Sequence, residues 1–432
     1  MFTSDCLNIN NKGHLTIGGV DTVELAEKYG TPVYVFSEDH IRETCRKYVG
    51  SIQKEYGGYG RAIYASKAFL CKEISRIVDS EGLDIDATSG GEIFTIVSAG
   101  VAPKKIHFHG NNKTIKELEY AVNCGVGDIV ADNMLDLERL DKLSEDKGVV
   151  TNVTIRVKPG VECHTHEFIR TGQIDSKFGF ALETGEAMEA VEYAVKCENI
   201  NLVGLHCHIG SQIFDRAPFV LAAEIMLGFY KEIKDKFGKE LDVLNLGGGF
   251  GSKYKVDDAA IPYEDYMSVV SAAVHSKCEE YGLKVPMIYI EPGRSIVCEA
   301  GITLYTVGNI KEIPGIRNYV SIDGGMFENP RYALYRADYT CVIANKAAEP
   351  ADYVATVAGK CCESGDLIQE HTNIQKPVPG DIMAVLSTGA YNYTLSSNYN
   401  RNLRPACIMI KDGVDRVVVK GETYEDLLRN DI

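Results

Sequence analysis

Short apolar runs, rich in β-branched side chains, punctuate the first two thirds of the chain. They cover residues 62–65, 83–86, 105–108, 128–131, 153–156, 202–205, 243–246 and 287–290. Between most of them lie stretches with helical signals. After Thr114, the residues Ile115, Leu118, Ala121 and Val122 fall on one helix face, and Gly125 can close the last turn. Thr114 with Glu117, and Asp21 with Glu24, read as capping boxes. Strand and helix alternating eight times predicts a closed parallel (β/α)8 TIM barrel, with an open doubly wound sheet as the rival.

The turns decide between the two. Nearly every strand runs at once into a chemically loaded segment: Ser66-Lys67, residues 87–92, His109-Gly110-Asn111, Asp132, Lys158-Pro159-Gly160, His206-Cys207-His208, Gly247-Gly248-Gly249, and Glu291-Pro292-Gly293-Arg294. Active sites of such barrels gather where the strands end, so eight turns at one mouth favour the barrel. Past Arg294 the helical periodicity gives way to short alternating runs at 302–307, 319–322, 339–343, 353–357, 382–386, 407–410 and 417–419. These predict an antiparallel β-barrel or sandwich. The expected division is a barrel over 33–295 and a β domain over 296–432, with residues 1–32 joining the β domain or capping the barrel.

Composition narrows the partners. Of 432 residues, Lys+Arg number 45 and Asp+Glu 61, so the formal charge is 45 − 61 = −16. That balance opposes nucleic acid or an anionic membrane as the main partner. No uninterrupted apolar run approaches 18 residues, and Met1-Phe2-Thr3-Ser4-Asp5 lacks the pattern of a secretory signal. Thirteen cysteines are scattered without a CxxC pair, so reduced thiols in the cytoplasm are expected.

Lys67 ends the first run. An isolated lysine there would snorkel from a strand end, but at a barrel mouth it can lose its charge by burial and form a Schiff base. Gly247-Gly248-Gly249-Phe250-Gly251 departs from the GxGxxG pattern and has no Walker lysine, so one phosphate rather than a nucleotide is the economical reading. Lysine and phosphate cradle together point to pyridoxal 5′-phosphate, whose ring nitrogen needs a partner that Glu291 can supply. Arg294, in the same turn, can neutralise a phosphate or a substrate carboxylate. Only one of His206 and His208 is expected to face the mouth, where an imidazole could stack on the ring. Neither that pair nor His107/His109 is expected to bind metal, because strand alternation is taken to send the two members of each pair opposite ways.

Several separated motifs together resemble the diaminopimelate decarboxylases, fold type III pyridoxal-phosphate enzymes with an alanine-racemase-like barrel and a C-terminal β domain. They are Tyr64-Ala65-Ser66-Lys67-Ala68, His109-Gly110-Asn111-Asn112-Lys113, Ser176-Lys177-Phe178-Gly179, residues 204–212, Gly247-Gly248-Gly249, Glu291-Pro292-Gly293-Arg294 and Cys362-Glu363-Ser364-Gly365-Asp366. The resemblance covers nearly the whole chain. It implies that Lys67 carries the cofactor aldehyde, that His208 stacks on the ring, and that Ser211, Gly249, Glu291, Gly293, Arg294 and Tyr391 contact the cofactor. Arg294, Arg331, Tyr335, Glu363 and Tyr391 become the substrate-binding set. Cys362 becomes the thiol acid reaching the site from the partner subunit of a homodimer, with Cys361 as a buried structural thiol. The implied reaction is decarboxylation of meso-2,6-diaminopimelate to L-lysine and CO₂. Alternatives are a decarboxylase of ornithine, arginine, lysine or carboxynorspermidine, an amino-acid racemase, or a non-catalytic cofactor-binding homologue. Asp86 and Ser89 fall on the mouth side without a role, and residues 162–176 read as a lid.

Overall fold

The computed structural model describes residues 2–161 and 176–432; the lid expected at 162–176 lies almost wholly outside them. The chain divides into two compact units. One comprises residues 44–251 and 260–293, the other residues 1–43, 252–259 and 294–432. The expected boundary at residue 33 therefore moves to 43/44, and residues 252–259 join the β unit.

In the first unit all eight predicted strands are present: β1 (Gly60–Ala65), β2 (Asp84–Ala87), β3 (Ile106–Phe108), β4 (Asp128–Ala131), β5 (Thr151–Lys158), β6 (Ile200–His206), β7 (Val243–Asn245) and β8 (Met287–Ile290). Each pairs in parallel with its neighbours, β8 pairs with β1, and β4 pairs with β5, so the sheet closes on itself. The rival open sheet is excluded. Strands buried on both faces need apolar side chains throughout, which is why the runs are short and nearly continuous. The helix Ile115–Cys124 has the predicted capping box of Thr114 and Glu117, and Gly125 ends it in the left-handed region at φ 71°.

The second unit is a mixed sheet rather than the purely antiparallel one expected. Its order is Leu367–Ile374, Tyr353–Ala358, Arg317–Ile322, Gly301–Ile313, Val33–Ser37, Ala406–Lys411, Val414–Val419. Two pairings are parallel: Arg317–Ile322 with Tyr353–Ala358, and Val33–Ser37 with Ala406–Lys411. Both join strands separated by long connections, which release the pairing from hairpin geometry. Val33–Ser37 sits at the sheet's centre, which moves the unit boundary. Alternate residues Ile302 and Leu304 meet Val33, Val35, Ala384, Ile408 and Ile410 in its core. Each such Leu, Ile or Val contributes about 1.5–3 kcal/mol on burial.

The strand Leu367–Ile374 escaped the apolar pattern because it buries Gln369 and Thr372. Gln369 has a structural task there, accepting the Tyr339 N–H at 2.8 Å. Near the N-terminus, Asp21 caps the helix Thr22–Tyr29 through Val23 N–H, while Glu24 pairs with Lys12 at 2.7 Å.

Candidate active site

Glu291, one residue past β8, is buried, and three neighbours share its two carboxylate oxygens. Oε1 accepts from Asn245 Nδ2 at 2.7 Å and faces His109 Nε2 at 2.9 Å, while Oε2 faces His206 Nε2 at 3.1 Å. Burial would raise this carboxyl, but His109 and His206 hold it well below the usual carboxylate range. Burial pushes His206 down to about 4, so its ring is neutral and donates through Nε2. These side chains come from the ends of β3, β6, β7 and β8, so barrel closure alone brings them together.

The histidine expectation needs correction. Residues two apart on a strand share a face rather than opposing one another. His107 is buried within β3 and pairs with Asp128 and, at 3.3 Å, Asp84, while His109, just beyond, reaches Glu291. β6 stops at His206, so alternation does not govern His208, whose Nδ1 accepts Gly248 N–H at 3.3 Å. His109, His206 and Glu291 bring potential ligand atoms within 4.8 Å of one another. Neighbours in the chain do not reveal that grouping.

Lys67 lies in the 3₁₀ turn Ser66–Ala68 that follows β1. Its expected burial is not found: Ser66 and Ala68 are buried, and Lys67 is exposed. Asp86, at the end of β2, accepts the Ser66 N–H at 2.9 Å and so anchors the residue before Lys67. Burial pushes Asp86 up to about 7. Burial, then the nearby Lys67 charge, pushes the His208 imidazole well down. Ser89 caps the helix Gly90–Ser98 through Glu92 N–H.

The glycine turn is tied into the same floor. Gly247 lies at φ 68°, its N–H donates to Asn245 Oδ1 at 2.9 Å, and its carbonyl accepts Glu291 N–H at 2.8 Å. A Cβ on Gly249 would stand 2.4 Å from the Gly210 carbonyl oxygen, so only glycine lets this turn approach the segment holding Ser211. A Cβ on Gly293 would come within 2.6 Å of Ala65 Cβ, which packs the turn after β8 onto the end of β1.

The β unit holds a second cluster. Arg294 and Arg331 are both buried and both donate to the Tyr254 hydroxyl, at 2.5 and 2.8 Å, and Arg331 also donates to Tyr339 Oη at 2.9 Å. Tyr391 lies under both guanidiniums, 4.7 Å from Arg294 and 6.0 Å from Arg331, with its backbone at φ 68°. A left-handed tyrosine stores strain of about 1–2 kcal/mol, and such outliers concentrate at functional positions. Among the described residues no carboxylate bonds Arg331. Two guanidiniums side by side with neutral phenols are chemically suited to receive an anion.

Tyr335 ends the short helix Arg331–Tyr335 and is half-buried, while Cys362 and Glu363 are exposed. No hydrogen bond or ring contact among the described residues joins these three to the arginine cluster. The loop of Cys362 and Glu363 is anchored by Asp366, which accepts N–H groups from Cys361 and Met326, each at 2.6 Å. Cys361 is buried, and burial pushes its thiol up to about 11. Every described cysteine is a free thiol. No described helix is long and apolar enough to cross a membrane. Sequence reasoning missed Asn245, Tyr254 and Tyr339 as site groups. Asn245 alone carried a signal, as a polar residue ending an otherwise apolar run.

The family described as pyridoxal-dependent decarboxylase, pyridoxal binding domain, matches residues 38–298. The diaminopimelate decarboxylase of Bacillus methanolicus is 47% identical over 420 residues, 97% of this chain and 97% of that protein. That of Bacillus subtilis (strain 168) is 46% identical over 432 residues, 100% of this chain and 98% of that protein. Among solved structures, the diaminopimelate decarboxylase of M. jannaschii in complex with L-lysine superposes with a TM-score of 0.93 at 33% identity, covering 100% of this chain and 99% of that one.

Proposed function

Because the chain belongs to the diaminopimelate decarboxylase family of pyridoxal-dependent decarboxylases, we infer that it removes one carboxylate from meso-2,6-diaminopimelate. The products are L-lysine and CO₂, and the cofactor is pyridoxal 5′-phosphate. The observation that carries the reaction type is Glu291, a buried carboxylate kept anionic among Asn245, His109 and His206.

The residues present fit the cofactor. An accessible lysine stands at a strand end beside a buried Ser66 hydroxyl that has no partner among the described residues. Two glycine-bearing turns suit a phosphate, and a half-buried imidazole suits a ring face. When bound, pyridoxal phosphate supplies an aldehyde for the substrate amine and a protonated ring that accepts the electrons left by departing CO₂. In this reading Lys67 would hold the aldehyde carbon. Glu291 would accept the ring N–H and keep that nitrogen protonated. His208 would stack on the ring, and Ser211, Gly249, Gly293, Arg294 and Tyr391 would hold phosphate and ring in place.

Arg331, with Arg294, takes the substrate's distal carboxylate by charge-assisted hydrogen bonds. Glu363 pairs with the distal ammonium, and Tyr335 and Tyr391 line the substrate. As CO₂ leaves, Cys362 delivers one proton to the carbon that lost it. We assign that thiol to the partner subunit, so the working unit is a homodimer, and we assign the enzyme to the cytoplasm. CO₂ release across a panel of meso-diaminopimelate, ornithine, arginine and lysine tests the reading. Preference for any of the last three over meso-diaminopimelate would refute the substrate assignment.

A further inference from the structure

The carboxamide of Asn245 is bonded at both ends within the barrel floor. Its Oδ1 accepts the Gly247 N–H at 2.9 Å, and its Nδ2 donates to Glu291 Oε1 at 2.7 Å. The orientation is fixed by chemistry: rotating the amide by 180° would set an NH₂ against an N–H and an oxygen against a carboxylate. Asn245 is buried at the end of β7. Two further contacts tighten the unit. Glu291 N–H donates to the Gly247 carbonyl at 2.8 Å, and a Cβ on Gly248 would stand 2.0 Å from the Glu291 carbonyl oxygen.

We propose that Asn245 is a positioning residue that couples the two ends of the cofactor site, holding the glycine turn and the Glu291 carboxylate in one rigid relation. Through Nδ2 it also supplies a neutral donor to Glu291, where a second anion would compete for the ring proton. The inference rests on the reading of Glu291 as the partner of the ring nitrogen, and it adds a residue that touches neither cofactor nor substrate.

Aspartate at this position separates the two bonds. Asn245→Asp keeps an acceptor for Gly247 but sets a carboxylate against Glu291, and paired carboxylates hold a proton between them. Asn245→Ala removes both bonds, and serves alone should the aspartate variant not fold. The holoenzymes are compared by the absorbance of bound pyridoxal phosphate across pH, by its dissociation constant, and by kcat and KM.

For Asn245→Asp we expect a dissociation constant within about threefold of wild type, since the bond to the glycine turn is retained. Its pH-dependent absorbance shifts, and kcat falls on the order of tenfold or more at little changed KM. For Asn245→Ala the dissociation constant itself rises by about tenfold. Wild-type spectrum and kcat in Asn245→Asp, or wild-type cofactor affinity in Asn245→Ala, overturns the coupling. Glu291→Gln tells the two readings apart. If it leaves spectrum and rate unchanged, the ring-partner reading fails; if it alters them while Asn245→Asp is silent, only the role of Asn245 fails. In a Glu291→Gln background, Asn245→Asp should produce no further spectral shift.

Discussion

Arg331→Met removes the charge from the proposed distal-carboxylate receptor while keeping much of the side-chain volume. Arg331 is 7% exposed and bonds to Tyr254 and Tyr339 at 2.8 and 2.9 Å, both neutral hydroxyls. A guanidinium fork can make two charge-assisted bonds to a carboxylate, each contributing about 1.5–3 kcal/mol. Losing both costs about 3–6 kcal/mol, or about two to four decades in kcat/KM for meso-diaminopimelate. Stability should respond much less. The substitution forfeits two phenol bonds at about 1 kcal/mol each, but it also removes a desolvated cation from beside Arg294. Two equilibrium probes sharpen the test. L-lysine retains the carboxylate that the reaction spares, so its Kd should rise by a comparable factor. Cadaverine carries no carboxylate, and its Kd should change by less than about threefold. Calorimetric titration of both ligands, with a thermal melt as the folding control, supplies the measurements. A fall in kcat/KM below tenfold, or equal weakening of lysine and cadaverine, would refute the carboxylate role.

The remaining expectations concern the lysine, the thiol and a buried ion pair. Lys67→Ala abolishes the visible band of lysine-linked pyridoxal phosphate and brings CO₂ release to background; a wild-type band in that variant contradicts the assignment. Cys362→Ala keeps the band, because the thiol is exposed and structurally idle, and lowers kcat by about 10²–10⁴, the usual contribution of a positioned acid. Mixing unfolded Lys67→Ala and Cys362→Ala chains and refolding them together should recover about a quarter of wild-type activity. Half the dimers are then mixed, and one of their two sites is intact; no recovery rules out a thiol from the partner subunit. His107 gives a pH signature of stability. Burial lowers its affinity for a proton, but Asp128 and then Asp84 outweigh burial and raise it from 6.5 to about 10. A raised folded-state value means that the stabilisation is complete below about pH 6.5 and is lost as pH climbs through 10. The difference in Tm between wild type and His107→Gln should therefore shrink between those limits, and a difference constant with pH contradicts the pairing.

Much of this protein is legible in its chain. Eight short apolar runs, each followed by a polar turn, imply a parallel barrel because a strand buried on both faces must be apolar along its length. Lys67, Glu291, Gly247-Gly248-Gly249 and Arg294 stand out locally, since each follows a predicted strand. The motif at Cys362 and a role for Arg331 became readable through resemblance to a family, where spacing alone was silent. The β unit was less legible. Val33–Ser37 and Ala406–Lys411 lie at opposite ends of the chain, and nothing local in either marks them as adjacent strands. Leu367–Ile374 hid its register by burying Gln369 and Thr372.

What the chain could not express is proximity between residues far apart in number. The carboxylate of Glu291 meets Asn245, His206 and His109, from 46 to 182 positions away, only because closure of the barrel carries four strand ends to one place. Tyr254, Tyr339 and Tyr391 enclose two arginines by the same kind of long-range assembly. Periodicity reports which face of a strand or helix is buried, and chain order reports which groups are available. Which donor meets which acceptor depends on sheet closure and register, and in this protein those contacts set the charge of Glu291.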